Sequence, residues 1–400
     1  MDLQHLSNKV KQFPEELKNI IQILGNSKVK PYFPSKYQDF NWDFFITLIQ
    51  QHQLTSLIFP YLSKNRDNIP TAAYDRIKSI QQRNAQKALA HVEQTIRLQS
   101  LFNKEGIPAI FLKGVALSQI LYGDPLLKNS IDIDVLVSLK HIGQAAELLQ
   151  KQGYRMIYPD IRLSKRQKRI NYRISHHYDF QHPEKGVRVE LHWKLINPQV
   201  LLPFSFDFLY RRSVKVKLHE HPVNTLSMED YIIYLSVHGA KHRWYNLAWL
   251  KDLSQILEET SQQTKLKTFR LSEEMGLKIC FLQGCLISRL IYGVETVVPL
   301  PKNQHRLMLM VRKALDAIPE YRTELKSHKL RNLLYQLWLR RNLKYKLTLI
   351  FRLRTHHSDW SRVPLPDYLF FLYYPLRPLI YMMNKVKNKI QKIHQGKENS

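Results

Sequence analysis

Apolar and polar residues alternate with two different periods along this chain, and the changes of period mark its organisation. Residues 1–103 carry helical spacing. Pro14 followed by Glu15-Glu16 suits a helix start, and the apolar spacing of 54–62 is expected to end or kink at Pro60. Residues 71–104 form one long amphipathic pattern through Ile77, Ile80, Ala88, Val92, Ile96 and Leu101, closed by Glu105-Gly106. The period then shortens. Residues 107–112 read as a buried strand, Lys113-Gly114 breaks it, and Val115, Leu117, Ile120 and Leu121 restore a helix. After a turn-rich stretch, 131–137 alternates strictly, with Ile131, Ile133, Val135 and Val137 on one face and Asp132 and Asp134 on the other.

Beyond this element, 140–152 predicts a short helix and 154–158 a third strand. Residues 161–173 hold six Arg or Lys in thirteen positions and read as a solvated loop at the mouth of the unit. Strands are expected over 173–181, with Ile174, His176, Tyr178 and Phe180 in phase, and over 187–193, joined by the 182–186 turn as an antiparallel hairpin. In the second of these Arg188, Glu190, His192 and Lys194 share a face. From Ser227, which with Asp230 resembles a capping box, the chain is again helical: 231–240, 246–258, 264–292 and 303–316, then basic amphipathic helices near 321–354.

The expected fold class is α+β, a small mixed-sheet core between N-terminal and C-terminal helical regions. Its expected divisions are 1–103, 104–224, 225–362 and an apolar-aromatic segment with a basic tail, 363–400. Four hundred residues with 44% apolar content can bury sizeable cores and exclude a disordered chain. Lys+Arg outnumber Asp+Glu 61 to 33, so an anionic partner is expected: a nucleotide, nucleic acid, an anionic polymer or a membrane surface. Two cysteines, Cys280 and Cys285, give neither a disulfide framework nor a zinc module. The N-terminal residues lack the apolar core of a signal peptide, so a cytoplasmic location is expected. Residues 363–392, aromatic and then basic, suit either packing on the body with a solvated tail or peripheral contact with an anionic membrane.

The chemistry centres on Asp132 and Asp134. Two carboxylates on neighbouring pleats repel unless a cation lies between them, which makes the pair the start of a metal site. Glu190, also on a strand face, supplies a third acid if the strands are neighbours. An Asp-x-Asp strand can bridge two divalent ions, and Gly114 lets backbone approach phosphates at a helix N-terminus.

These elements together resemble the uncharacterised nucleotidyltransferase family of the DNA-polymerase-β-like superfamily. The resemblance rests on Leu112-Lys113-Gly114, Tyr122, Asp132-Ile133-Asp134-Val135-Leu136-Val137, Glu190-Leu191-His192-Trp193 and His238-Gly239-Ala240-Lys241-His242, over roughly 100–260. It implies a polymerase-β-like core and a Mg²⁺-dependent (or Mn²⁺-dependent) transfer of NMP from an NTP, ATP by default. The acceptor is a hydroxyl or phosphate, with a hint of peptide or polysaccharide biosynthesis. It implies metal ligation and catalysis by Asp132, Asp134 and Glu190, and nucleotide contacts from Lys113, Gly114, Lys128, His192, His238, Lys241 and His242. Arg243 near Trp244 is a further contact, and Asp252 a partner for one of these cations. The chain departs from the superfamily in having Val115 after Gly114, and from the family in having Lys128 where Arg is usual, so a bidentate contact becomes a point charge. A non-catalytic protein that keeps the fold and binds nucleic acid or a membrane surface is the alternative. The paired acids argue against nucleic acid.

Overall fold

The computed structural model describes residues 3–25, 40–295, 298–320, 329–351, 355, 357–380 and 382–383. Seven strands form one mixed sheet in the order β3-β4-β5-β2-β1-β7-β6. They are β1 (Ala109–Phe111), β2 (Ile133–Val137), β3 (Arg155–Tyr158), β4 (His177–Gln181), β5 (Arg188–His192), β6 (Val214–Leu218) and β7 (His221–Thr225). β2 runs parallel to β5 and antiparallel to β1, and β4 pairs antiparallel with β5 across the expected turn.

The helices are α1 (Leu3–Lys11), α2 (Glu15–Leu24), α3 (Trp42–Gln51), α4 (Thr55–Lys64), α5 (Thr71–Lys104), α6 (Gly114–Tyr122), α7 (Ile142–Lys151) and α8 (Lys165–Ile174). After them come α9 (Phe206–Arg212), α10 (Met228–Lys241), α11 (Leu247–Glu259), α12 (Gln262–Glu274), α13 (Lys278–Tyr292) and α14 (His305–Ala317). The last described are α15 (Lys329–Leu337), α16 (Leu343–Phe351) and α17 (His357–Arg362).

The alternation in the strands sorts their side chains into two environments. Phe111, Val135, Val137, Val189, Leu191 and Phe180 face α5 and α7 in one apolar core. Ile110, Leu112 and Leu136 point the other way, into a second core that gathers helices from both ends of the chain. At about 1.5 Å per residue, α5 is long enough to serve both: Ile77 and Ile80 lie in the second core, and Val92, Leu98 and Phe102 under the sheet.

Several expectations are corrected. The helix over 55–64 continues through Pro60 to Lys64. The basic stretch is a helix, not a loop: Ser164 and Gln167 form a reciprocal capping box, and Ile170 and Ile174 give the following turns an apolar stripe. That helix ends at Ile174, so β4 begins only at His177 rather than at 173. β2 begins at Ile133; Ile131 is exposed at 58% and Asp132 precedes the strand. The span 264–292 is two helices, separated at Gly276, whose φ is +69°. The β6–β7 hairpin lies in a stretch for which the sequence predicted no element. Of the basic amphipathic helices near 321–354, the described part is α15 and α16, and residues 321–328 and 352–354 lie outside the described residues.

Residues 363–380 pack on the body. Val363, Leu365, Phe370, Tyr373, Leu376 and Ile380 cluster with Leu163, Ile170, Ile174 and Trp360. Asp367 accepts from the hydroxyl of Ser164, and the Arg166 guanidinium donates to its carbonyl at 3.0 Å. Tyr368, Phe371, Leu379, Met382 and Met383 remain more than half exposed. The basic tail, 384–400, lies outside the described residues. No described helix is long and apolar enough to cross a membrane.

Candidate functional site

Register places the acids. Asp134 of β2 stands opposite Glu190 of β5, and Glu190 stands opposite Asp179 of β4. Cross-strand neighbours project to the same face, so three carboxylates form a row across three strands. One step along, His192 is opposite His177. Asp132 approaches from the segment before β2, near enough to Asp134 and Glu190 to feel both charges.

Four carboxylates this close require compensation, and side chains of the same sheet provide it. Lys113 Nζ is 3.2 Å from Asp134 Oδ2. His192 Nε2 is 3.0 Å from Asp134 Oδ1 and 3.2 Å from Glu190 Oε2. Arg188 donates to Asp179 at 2.6 Å and lies 3.7 Å from Glu190. The protonation follows. Burial first, then the Asp134 and Glu190 charges, push Asp132 up to about 8. Burial acts to raise Asp134 too, but Lys113 and the His192 bond outweigh it and hold Asp134 below the usual carboxylate range. Glu190 is lowered for the same reason, burial being overcome chiefly by His192. Burial acts to lower His192, and its bonds to Asp134 and Glu190 raise it to about 9.

The turn after β1 completes this side of the site. Lys113 sits at φ +34°, ψ −150°, an unusual conformation for a side-chain-bearing residue. Gly114 follows at φ +53°, where a Cβ would meet Ser130 Oγ at 3.4 Å, so glycine is the residue that fits. Ser130 in turn donates to the Asp132 carbonyl at 2.7 Å. The first N–H groups of α6 therefore open beside the acids.

These residues floor a cleft of about 570 Å³. Lys113, Gly114, Asp132, Asp134 and Glu190 lie on one side, and His238, His242, Tyr245 and Trp249 form an aromatic wall on the other. Trp249 meets His238 at 4.7 Å and Tyr245 at 4.9 Å between ring centroids. His238 is half-buried in this wall, and desolvation together with the Lys113 charge keeps its imidazole neutral.

The cleft gathers Lys113, Gly114, Lys128, Asp132, Asp134, Glu190, His238 and His242. His192 is sealed beneath the acids and Lys241 lies outside the cleft lining. Lys128 is occupied by Asp252, which also accepts from Tyr122 Oη at 3.2 Å. Arg243 turns away to Asn332 and Glu320, and Trp244 is a core residue that packs against Gly239 and Gly284. The cleft is lined by Tyr245 and Trp249, not by Trp244. Asp179 and His177 went unread, although the alternation of 173–181 already set them opposite Tyr178 and Phe180.

The donor set fits a divalent cation. Asp134, Glu190 and His192 each place one ligand atom within 4.8 Å of the others, and so do His177, Asp179 and Glu190. Carboxylate oxygens suit Mg²⁺, and the His177 imidazole beside Asp179 and Glu190 suits Mn²⁺ as well.

Residues 38–293 match the family described as uncharacterised nucleotidyltransferase. No curated protein matches. Among solved structures, the chain is similar to an antigenic nucleotidyltransferase-like protein from Paracoccidioides brasiliensis, at 14% identity over 48% of this chain and 86% of that one, with a TM-score of 0.31. The family match spans α3 to α13, the whole sheet included, and on that ground the chain belongs to the uncharacterised nucleotidyltransferase family.

Proposed function

We propose that Asp132, Asp134 and Glu190 hold divalent metal, Mg²⁺ or Mn²⁺, and that the protein transfers NMP from an NTP, ATP by default, to an acceptor hydroxyl or phosphate. The observation that carries this reading is the Asp134–Glu190 register beside the Gly114 bend, which joins an acidic row to a helix N-terminus.

When bound, the ion offsets the charge of the triphosphate and lowers the pKa of an attacking hydroxyl. The chain's own groups do the rest. The α6 N–H groups and Lys113 receive phosphate oxygens. Trp249, Tyr245 and the His238 and His242 rings offer flat surfaces to the base. His192 orients Asp134 and Glu190 from below. The acceptor oxygen bonds to the α-phosphorus as the bond to the bridging oxygen of the β-phosphate breaks, and pyrophosphate leaves. Where the acceptor is a hydroxyl, Glu190 is placed to take its proton. An acceptor from a specialised peptide or polysaccharide pathway rests on the family resemblance alone. Incubation of the purified protein with each α-labelled NTP and fractionated cell extract tests the activity. Metal-dependent transfer of label is expected, and transfer in no fraction overturns it.

The exposed fringe of Tyr368, Phe371, Leu379, Met382 and Met383 favours a second, compatible reading: peripheral contact with an anionic membrane through 363–392, and with it a cytoplasmic location at the membrane face. Co-sedimentation with phosphatidylserine vesicles, lost on truncation at 362, is the expected result. Sedimentation unchanged by truncation contradicts it.

A further inference from the structure

A second cleft of about 510 Å³ lies on the other side of the 128–131 segment, which is a wall common to both. It runs between α5 and the β4–β5 turn, and its charged lining is entirely cationic: Lys87, Lys128, Lys185 and Arg188, with no carboxylate among the lining residues. Two of these are already committed, Lys128 to Asp252 and Arg188 to Asp179. Lys87 is exposed on α5, and Lys185 Nζ has Gln94 Oε1 at 3.2 Å, a neutral partner that leaves its charge uncompensated. Burial first, and then the Lys87 charge, push His91 down to about 4, so the histidine adds an uncharged polar edge. Asn84, Asn129 and Gln181 complete a lining rich in neutral hydrogen-bonding groups.

The first cleft presents phosphate-binding backbone and an aromatic wall, the features a nucleotide needs. The second has no aromatic ring apart from His91, and Arg188 joins it to the acids through its 3.7 Å approach to Glu190. We propose that this second cleft is the acceptor site and that the acceptor carries a phosphate group, gripped by Lys87 and Lys185, with its reacting oxygen directed past Arg188 toward Glu190. The inference rests on the nucleotidyltransferase reading for the word acceptor, but not for the anion site itself. A volume of this size takes a small phosphate ester rather than a duplex. Lys87 and Lys185 belong to different elements, so a ligand that both grip must lie between α5 and the β4–β5 turn.

The test is calorimetric titration of inorganic phosphate into the protein saturated with Mg²⁺ and α,β-methylene ATP, which fills the first cleft. One further equivalent of phosphate is expected to bind, and Lys87→Gln/Lys185→Gln is expected to weaken it tenfold or more while nucleotide affinity holds. Both positions are at or near the surface, and an unchanged circular dichroism spectrum confirms folding. No phosphate binding to the saturated wild type overturns the proposal, as does an equal fall in nucleotide affinity, which would place the triphosphate in this cleft. If the nucleotide analogue does not bind at all, the nucleotidyltransferase reading fails, and titration of phosphate into the protein alone still decides the anion site. A tenfold loss in the double variant supports it there, and unchanged binding overturns it.

Discussion

His192 and Asp134 are 58 positions apart in sequence, and Nε2 of the one stands 3.0 Å from Oδ1 of the other, both side chains almost wholly buried. The contact gives the acidic row a resident cation, because the same nitrogen reaches Glu190 at 3.2 Å. Replacement by a neutral residue leaves two buried carboxylates facing each other. His192→Gln is expected to destabilise the metal-free protein by about 3 kcal/mol, with a large part recovered on adding Mn²⁺. Urea unfolding with and without Mn²⁺ checks this, and a loss indifferent to the metal contradicts it.

Lys128 occupies the position where the family usually has arginine, and its ammonium is held by Asp252, whose side chain is 2% exposed. Truncating the lysine strands a buried charge that, among the described residues, keeps only the Tyr122 hydroxyl. Lys128→Met is expected to cost about 3 kcal/mol, whereas Lys128→Met/Asp252→Leu is expected to recover most of it. Thermal unfolding of the single and double variants separates a structural ion pair from a nucleotide contact, since only the latter leaves stability unchanged.

Gly239 lies between the two histidines of the aromatic wall, on the face of α10 that meets Trp244. A Cβ there would stand 2.3 Å from the indole ring, well inside contact distance. Gly239→Ala is expected to cost between about 1 and 3 kcal/mol by overpacking and to shift His238 and His242 together. Unfolding measurements and the histidine ring resonances read the two effects. Neither changing would show that Trp244 yields freely.

His52 ties the α3–α4 turn to α11 by accepting from the Leu247 N–H at 3.3 Å through Nδ1. Burial lowers its pKa from 6.5 to about 4, so the unfolded chain binds the extra proton first as pH falls. Stability is therefore full above pH 6.5 and declines as pH falls toward 4, by about 2 kcal/mol at pH 5. His52→Asn keeps an acceptor and loses the titration. The stability difference between wild type and variant is expected to narrow or reverse between pH 7.5 and 5, and a constant difference contradicts the assignment.

Strict alternation made β2 and β5 legible, and with them Asp134, Glu190 and the apolar underside of the sheet. Asp179 was equally within reach, but Tyr178 and Phe180 set the apolar phase of that strand and leave Asp179 on its polar side. The 161–173 stretch shows a different limit: six cations dominate its composition, whereas its helix is decided by Ser164, Gln167 and the spacing of Ile170 and Ile174. In the β6–β7 hairpin, 214–218 alternates Val, Lys, Val, Lys, Leu, so β6 was legible by the same rule as β2, although Val214 ends 42% exposed. The Lys128–Asp252 pair, 124 positions apart, has no local signature at all. Only the packing of α11 against the segment between α6 and β2 reveals it.

The central claim is that Asp132, Asp134 and Glu190 form a divalent metal centre. Titration of Mn²⁺ followed by electron paramagnetic resonance tests it most directly, because bound ion loses the sharp signal of the free hexaaqua ion. Wild type is expected to deplete free Mn²⁺, and Asp134→Asn and Glu190→Gln, folded by circular dichroism, are each expected to weaken that binding at least tenfold. Equal depletion by wild type and both variants would contradict the account.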